Sequence, residues 1–261
     1  MKFTILLCHQ NLRALLINCF ALLIMVALTS QAPAFPAELT PREILQKSDQ
    51  ARGNVEGITW EIDIVSREDD REQRRRLRVT AKNYNSLAEF LAPAKVAGQK
   101  LLMRDRNMWF IKPGLSKPVP LSPRQKLLGM ASNGDIASTD YAGDYEVLAT
   151  TECRLNDEAC FQFDLRAVNK KVTYDRITYW VSQERLVGVK ADFYTVSGKL
   201  FKSATFEYDN RVSINGGSMP FVSKMTINDA IMKAHVTVMS YSAPATGPVP
   251  DAAFNLNLLV R

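Results

Sequence analysis

Histidine is the scarcest reactive residue of this chain, with two copies in 261 residues, His9 and His235. A Ser-His-Asp hydrolase needs a histidine base beside its nucleophile. His235 stands alone at the start of a predicted strand, where a surface or packing role suits it best. The motifs G-x-S-x-G, H-E-x-x-H, G-x-x-x-x-G-K-[ST] and G-x-G-x-x-G are all missing, which argues against the corresponding hydrolases, zinc peptidases and nucleotide-binding folds. Carboxylate-only chemistry, as in glycosidases, stays open. Its candidates are Asp69-Asp70, inside a run of mixed charge, and Asp135 with Asp140, where acids also serve as helix caps. Uninterrupted apolar runs are short as well. The longest, Ala14 to Leu28, has 15 residues and is broken by Asn18, whereas a spanning helix wants about 20.

That run has a context of its own. Lys2 and Arg13 precede or open it with no acid nearby, and Ala32-Pro33-Ala34 follows it. Basic, apolar and small-residue zones in this order predict a secretory signal over residues 1–34, cleaved after Ala34. A retained membrane anchor is the alternative, although Pro33 and Pro36 close the segment early. Neither Cys8 nor Cys19 follows the small residue that lipidation requires. Cleavage would leave 227 residues with 31 basic and 27 acidic side chains, so the net charge falls from +6 to +4. The expected location is the periplasm.

Cysteine drops to two, Cys153 and Cys160, framing a turn signal at Asn156-Asp157. Extended arms on either side would bring the sulfurs together, and an oxidising compartment predicts a disulfide. A metal site would need more ligands than this pair, and a redox pair would normally be C-x-x-C. The basic excess does not indicate nucleic acid. Its sharpest cluster, Arg74-Arg75-Arg76-Leu77-Arg78, belongs to a stretch (67–78) with six arginines and four acids, which reads as a solvated hairpin. An anionic headgroup or an acidic partner remains a possible contact for it.

What is present is mostly strand. Thr40-Pro41-Arg42-Glu43 is a capping box that predicts a helix running toward Gly53. Ser122-Pro123 predicts a second helix carrying Leu127, Leu128 and Met130, with Gly134 as its stop. Ser138-Thr139-Asp140 predicts one more short turn. The periodicity otherwise alternates: Ile58–Val65, Arg76–Thr80, Gln99–Arg104, Asn107–Ile111, the arm after Cys160, Ile177–Val181, Val187–Thr195, Leu200–Tyr208, Phe221–Ile227 and Val236–Ser240. The segment from Arg67 to Gln73 reads as a charged loop. About ten strands without βαβ alternation predict a curved antiparallel sheet with a few helices against it, in one domain over residues 35–261.

At residues 98–113, Gly98, a strand, a tight turn, Met108-Trp109 and a closing Pro113 resemble the family of outer-membrane lipoprotein-sorting proteins of LolA type. Leu127-Leu128-Gly129-Met130, Asp135-Ile136, Asp140-Tyr141, Cys160 to Phe163, Tyr174 to Val181, Gly198 to Lys202 and Met219-Pro220 through Ile227 follow in the family's order. The resemblance spans about residues 38–243, with order and spacing as its strength. It departs at Ser132-Asn133-Gly134, where the family pattern has Gly-Ser. The resemblance implies an unclosed antiparallel β-barrel under a helical lid, with no catalysis, cofactor or metal. It implies a monomeric periplasmic carrier that holds lipid or lipoprotein acyl chains and serves an inner-membrane transporter of RND type and an outer-membrane acceptor. A sensor of envelope stress on the same fold is the alternative. Each buried methylene contributes about 0.8 kcal/mol, so partial shielding of an acyl chain is enough for binding. The expected cavity lining is Trp60, Ile62, Ile64, Leu77, Val79, Leu101, Met103, Met108 and Phe110. For each of these, simple packing in a closed core is the competing reading.

Overall fold

The computed structural model describes residues 39–214 and 216–260. The export signal, its cleavage after Ala34, and Cys8, His9 and Cys19 lie outside the described residues. Thr40 opens the first element, its side chain accepting from the Glu43 N–H at 3.3 Å while Glu43 Oε2 accepts from the Thr40 N–H at 2.8 Å. This is the expected capping box, and it starts α1 (Pro41–Gln50). The inward side of α1 carries Ile44, Leu45, Ser48 and Asp49.

A long run of strands follows. It comprises β1 (Ile58–Glu68), β2 (Arg71–Lys82), β3 (Asn85–Ala92), β4 (Lys100–Arg104), β5 (Asn107–Ile111) and β6 (Val119–Leu121). A small hairpin, β7 (Lys126–Leu128) and β8 (Ala131–Ser132), leads to a 3-10 turn (Asn133–Ile136) and to the short α2 (Tyr141–Asp144). The second run is β9 (Tyr145–Leu155), β10 (Glu158–Ala167), β11 (Arg176–Ser182), β12 (Gly188–Tyr194) and β13 (Leu200–Glu207). A second hairpin, β14 (Asn210–Ile214) and β15 (Gly217–Phe221), precedes β16 (Lys224–Asp229) and β17 (Val236–Thr246). A 3-10 turn (Asp251–Phe254) and α3 (Leu256–Leu259) end the described chain.

Thirteen strands form one sheet in the order β6-β5-β4-β3-β2-β1-β17-β16-β13-β12-β11-β10-β9. Every pairing in it is antiparallel. The terminal strands β6 and β9 do not pair with each other, so the barrel stays open. Alternation places Trp60, Ile62, Ile64, Leu77 and Val79 on the inner face with Phe163, Leu165, Tyr179, Phe193 and Met225 from the far arm, in one core that also holds Ile44 and Leu45 of α1. Only a concave sheet brings side chains of β2 and β10 into one cluster, and α1 fills that concavity.

Several sequence expectations are corrected. The helix expected after Ser122 is instead the β7–β8 hairpin, with Lys126 opposite Ser132. Gly129 turns it with φ +55°, and Gly134 N–H donates to Pro123 O at 3.0 Å to close the loop. The apolar residues there answer to the sheet beneath rather than to helical spacing. The charged loop at 67–73 shrinks to Asp69-Asp70, because Arg67 pairs with Glu72 and Glu68 with Arg71. Charge on a strand face in water does not break its ladder. The strand expected over Phe221–Ile227 divides at Val222-Ser223, where Val222 N–H leaves the sheet for Ala51 O at 3.0 Å. The expected disulfide is not formed: Cys153 and Cys160 are directly opposite across β9–β10, yet both are free thiols. Pairing of β9 with β10 from Glu158↔Leu155 to Asp164↔Ala149 holds this part of the hairpin in register through backbone hydrogen bonds.

Candidate functional site

An apolar groove of about 370 Å³ opens between the β3–β6 arm and the β7–β8 hairpin. Phe90, Leu101, Phe110 and Leu121 line one wall, and Gln125, Lys126, Leu127 and Asn133 line the other. Its size lies within the range of small-molecule pockets. The first wall follows from register: Leu101 is opposite Phe110 and Ala88, so inward residues of adjacent strands stack side by side.

The second wall is held by polar contacts at both ends. Lys126 Nζ reaches Glu68 Oε1 at 2.8 Å, and Met130 N–H donates to Thr237 Oγ1 at 2.8 Å. Beyond the hairpin, Lys202 Nζ lies 3.0 Å from Asp135 Oδ2, with both side chains almost wholly buried. Lys202 also donates to Met130 O at 2.8 Å, and Asp135 accepts from Tyr174 O–H at 2.6 Å and from Ser132 N–H at 2.8 Å. Burial draws the Lys202 ammonium below the ordinary lysine range, with Asp135 opposing. All three protons of Lys202 and both oxygens of Asp135 have a partner, which is the condition for tolerating buried charge.

A second polar group lies under α1. Arg52 is buried, with its guanidinium carbon 4.6 Å from the Phe206 ring centre and 5.6 Å from that of Tyr141. Ser48 and Tyr179 hydroxyls are 2.6 Å apart, and Asp49 Oδ2 accepts from the Ala142 N–H at 2.9 Å. These contacts tie α1 to α2 and to the sheet floor. Asp140 caps α2 through the Gly143 N–H at 3.2 Å and also meets Arg106 at 3.0 Å, while Asp144 takes the Arg106 Nε–H. The carboxylates considered for catalysis therefore have other occupations: Asp135 on Lys202, Asp140 on Arg106, and Asp69 beside His235 Nε2 at 3.0 Å.

The nine expected lining residues separate into three groups. Leu101 and Phe110 border the groove. Trp60, Ile62, Ile64, Leu77 and Val79 are buried in the main core, Trp60 edge-on to Phe221 at 5.6 Å. Met103 and Met108 face each other across β4–β5 in a smaller cluster with Ala137. Sequence reasoning missed Phe90, Leu121, Gln125, Lys126, Leu127 and Asn133 as lining. Phe90 shares the inward side of β3 with Ser86 and Ala88, a polar and a small residue that leave no apolar alternation to read.

A family model described only as "Uncharacterized protein" matches residues 82–261. No curated protein matches the chain. Among solved structures, the chain is similar to an outer membrane lipoprotein-sorting protein domain from Vibrio parahaemolyticus, at 17% identity and TM-score 0.71 over 84% of this chain and 98% of that one, a likeness of fold. It is also similar to a LolA superfamily protein from Nitrosomonas europaea, at 32% identity and TM-score 0.74 over 85% of this chain and 100% of that one. With the open thirteen-strand sheet, the enclosed helix and that degree of identity over a whole relative, the chain belongs to the LolA superfamily.

Proposed function

We propose that this protein is a periplasmic carrier that takes one acyl chain of a lipid or lipid-modified protein into the Phe90–Leu101–Phe110–Leu121–Leu127 groove. The observation that carries the reading is the groove itself: an open apolar concavity between the β3–β6 arm and the β7–β8 hairpin. Acyl chains suit such a site because their binding needs only exclusion of water, about 0.8 kcal/mol per methylene. Gln125, Lys126 and Asn133 at its margin offer polar groups to an ester or headgroup. Hand-over to an inner-membrane transporter and an outer-membrane acceptor is the role that membership of this superfamily supports.

The test combines lipid extraction of the protein from its own host, analysed by mass spectrometry, with displacement of an acyl-chain fluorophore. Co-purified lipid and saturable fluorophore binding, weakened by Leu127→Arg, are expected. A lipid-free protein with no fluorophore affinity would overturn the proposal. Stable capture of a membrane-anchored regulator, unaffected by Leu127→Arg, would favour the sensor reading instead.

A further inference from the structure

The arginine cluster at 74–78 is split by the sheet. β2 pairs with β1 without a register shift from Glu68↔Arg71 to Ile58↔Ala81, so its side chains alternate strictly between the two faces. Arg74, Arg76 and Arg78 fall on the outer face and each meets a carboxylate. Arg74 pairs with Glu72 at 2.7 Å, and Arg76 and Arg78 pair with Glu61 at 2.7 and 2.8 Å. Arg75 is in phase with Leu77, Val79 and Ala81 and belongs to the inner face. It is half-buried, opposite the fully buried Ile64. Its side chain makes one hydrogen bond among the described residues, from Nη1 to Arg74 O at 2.8 Å, and none of their carboxylates pairs with it.

That position borders the apolar groove. Phe90, in the groove wall, is opposite Leu77 on the same face, and Arg75 is the next inward residue along β2. Diagonal neighbours on one sheet face have Cβ atoms about 7 Å apart, within reach of a long side chain. Among the described residues, the inward positions of β1 to β5 carry a single acid, Glu68. Glu68 already holds Lys126 of the other groove wall at 2.8 Å and stands opposite Arg71. Three cations, Arg71, Arg75 and Lys126, are therefore set against one carboxylate beside the groove. A guanidinium among apolar side chains gives up part of its hydration, and Arg75 has no ion pair in return. An anion delivered on an apolar tail satisfies both the charge and the groove, and the planar fork of arginine matches phosphate with two parallel hydrogen bonds.

We infer that the lipid taken by the groove carries a phosphate, with an acyl chain against Phe90, Leu101 and Phe110 and the phosphate oxygens on the Arg75 guanidinium. The inference rests on the carrier reading and narrows it, from acyl chains in general to lipids with a phosphate headgroup. Arg75 is then the residue that sets headgroup preference, while the groove supplies affinity for the chain.

The test is displacement of an acyl-chain fluorophore from the purified protein by dioctanoyl phosphatidic acid and by dioctanoylglycerol, two probes with the same chains that differ in the phosphate. The phosphatidic acid is expected to bind about tenfold more tightly or better, and to lose part of that advantage at high salt. Arg75→Gln should bring it down to the level of dioctanoylglycerol while leaving the affinity for dioctanoylglycerol unchanged. Arg75→Lys should keep part of the preference, and Arg74→Gln on the outer face should keep all of it. Arg75→Gln breaks no ion pair, so its thermal melt should match that of the parent. Inorganic phosphate alone should displace neither the fluorophore nor the phosphatidic acid. Equal affinity for the two lipids, or a preference that survives Arg75→Gln, would overturn the inference and leave the carrier reading in place. Competition by inorganic phosphate as strong as that by phosphatidic acid would make Arg75 a free-anion site and overturn the lipid assignment. Displacement by neither lipid would remove the carrier reading itself, and the inference with it.

Discussion

Asp49 lies on the inner side of α1 with Oδ2 on the Ala142 N–H and Oδ1 without a partner among the described residues. Burial pushes its carboxyl up to about 7 from an ordinary 3.8, with the Ala142 N–H opposing. The folded chain thus keeps a proton that the unfolded chain has released above about pH 4. More protons bound in the folded state means stability falls as pH rises. The Asp49 contribution declines between pH 4 and 7, and is flat on either side. Its size is on the order of 4 kcal/mol. Asp49→Asn should remove that decline, measured as a gap between variant and parent urea midpoints that widens from pH 4 to pH 7. A constant gap would refute the assignment. Lys202 behaves differently because its charge is paired. Lys202→Met leaves Asp135 buried beside Tyr174 without its cation and should cost roughly 3–5 kcal/mol in urea unfolding, whereas Lys202→Met with Asp135→Leu should recover much of it.

At the scale of elements, the β7–β8 hairpin is the part on which the groove depends. A Cβ at Gly129 would stand 2.0 Å from Ser66 Oγ and 2.3 Å from Thr237 Oγ1, in addition to the positive φ of +55°. Gly129→Val should therefore lift the hairpin from β1 and β17. The expected readout is faster hydrogen exchange over 124–134 and a changed fluorophore affinity, with the exchange of β10–β13 little altered. At the other end of the core, α1 depends on its cap. Thr40→Ala should cost about 1 kcal/mol in a thermal or urea melt. The capping box was legible because it is local, four residues bonding among themselves. The β7–β8 hairpin was not, because Leu127, Leu128 and Met130 have spacing compatible with a helix and only contact with Ser66 and Thr237 decides otherwise.

For the whole molecule, the question is which inward residues hold the fold and which face a ligand. Trp60 is 2% exposed against Phe221, whereas Phe110 is only partly buried at the groove. Trp60→Ala should cost about 3–5 kcal/mol and lower the melting temperature sharply. Phe110→Ala should leave the melt close to that of the parent while reducing fluorophore binding. Reversed outcomes would place the ligand surface under β1 rather than between β3 and β6.

Alternation along β1, β2, β4, β10, β11 and β13 was readable from the residues alone, since period-2 patterning records which side chains avoid water. The antiparallel β class, the capped first helix and the hairpin that sets Cys153 opposite Cys160 followed from local information, whereas the disulfide expected between them did not. Strands β3 and β9 escaped it, because Asn85–Ala92 carries alanine and polar residues and Tyr145–Leu155 is exposed at the sheet edge. The sequence likewise marked nine apolar inward residues without ranking them. Whether such a residue meets another side chain or an open groove depends on what lies across the concavity, and that is set by contacts far apart in the chain: Ile44 and Leu45 of α1 in the core with β1 and β2, and a glycine-turned hairpin anchored on Glu68, Thr237 and Lys202. Local patterning determined the sheet; the placement of that hairpin decided that an apolar groove opens between it and the β3–β6 arm.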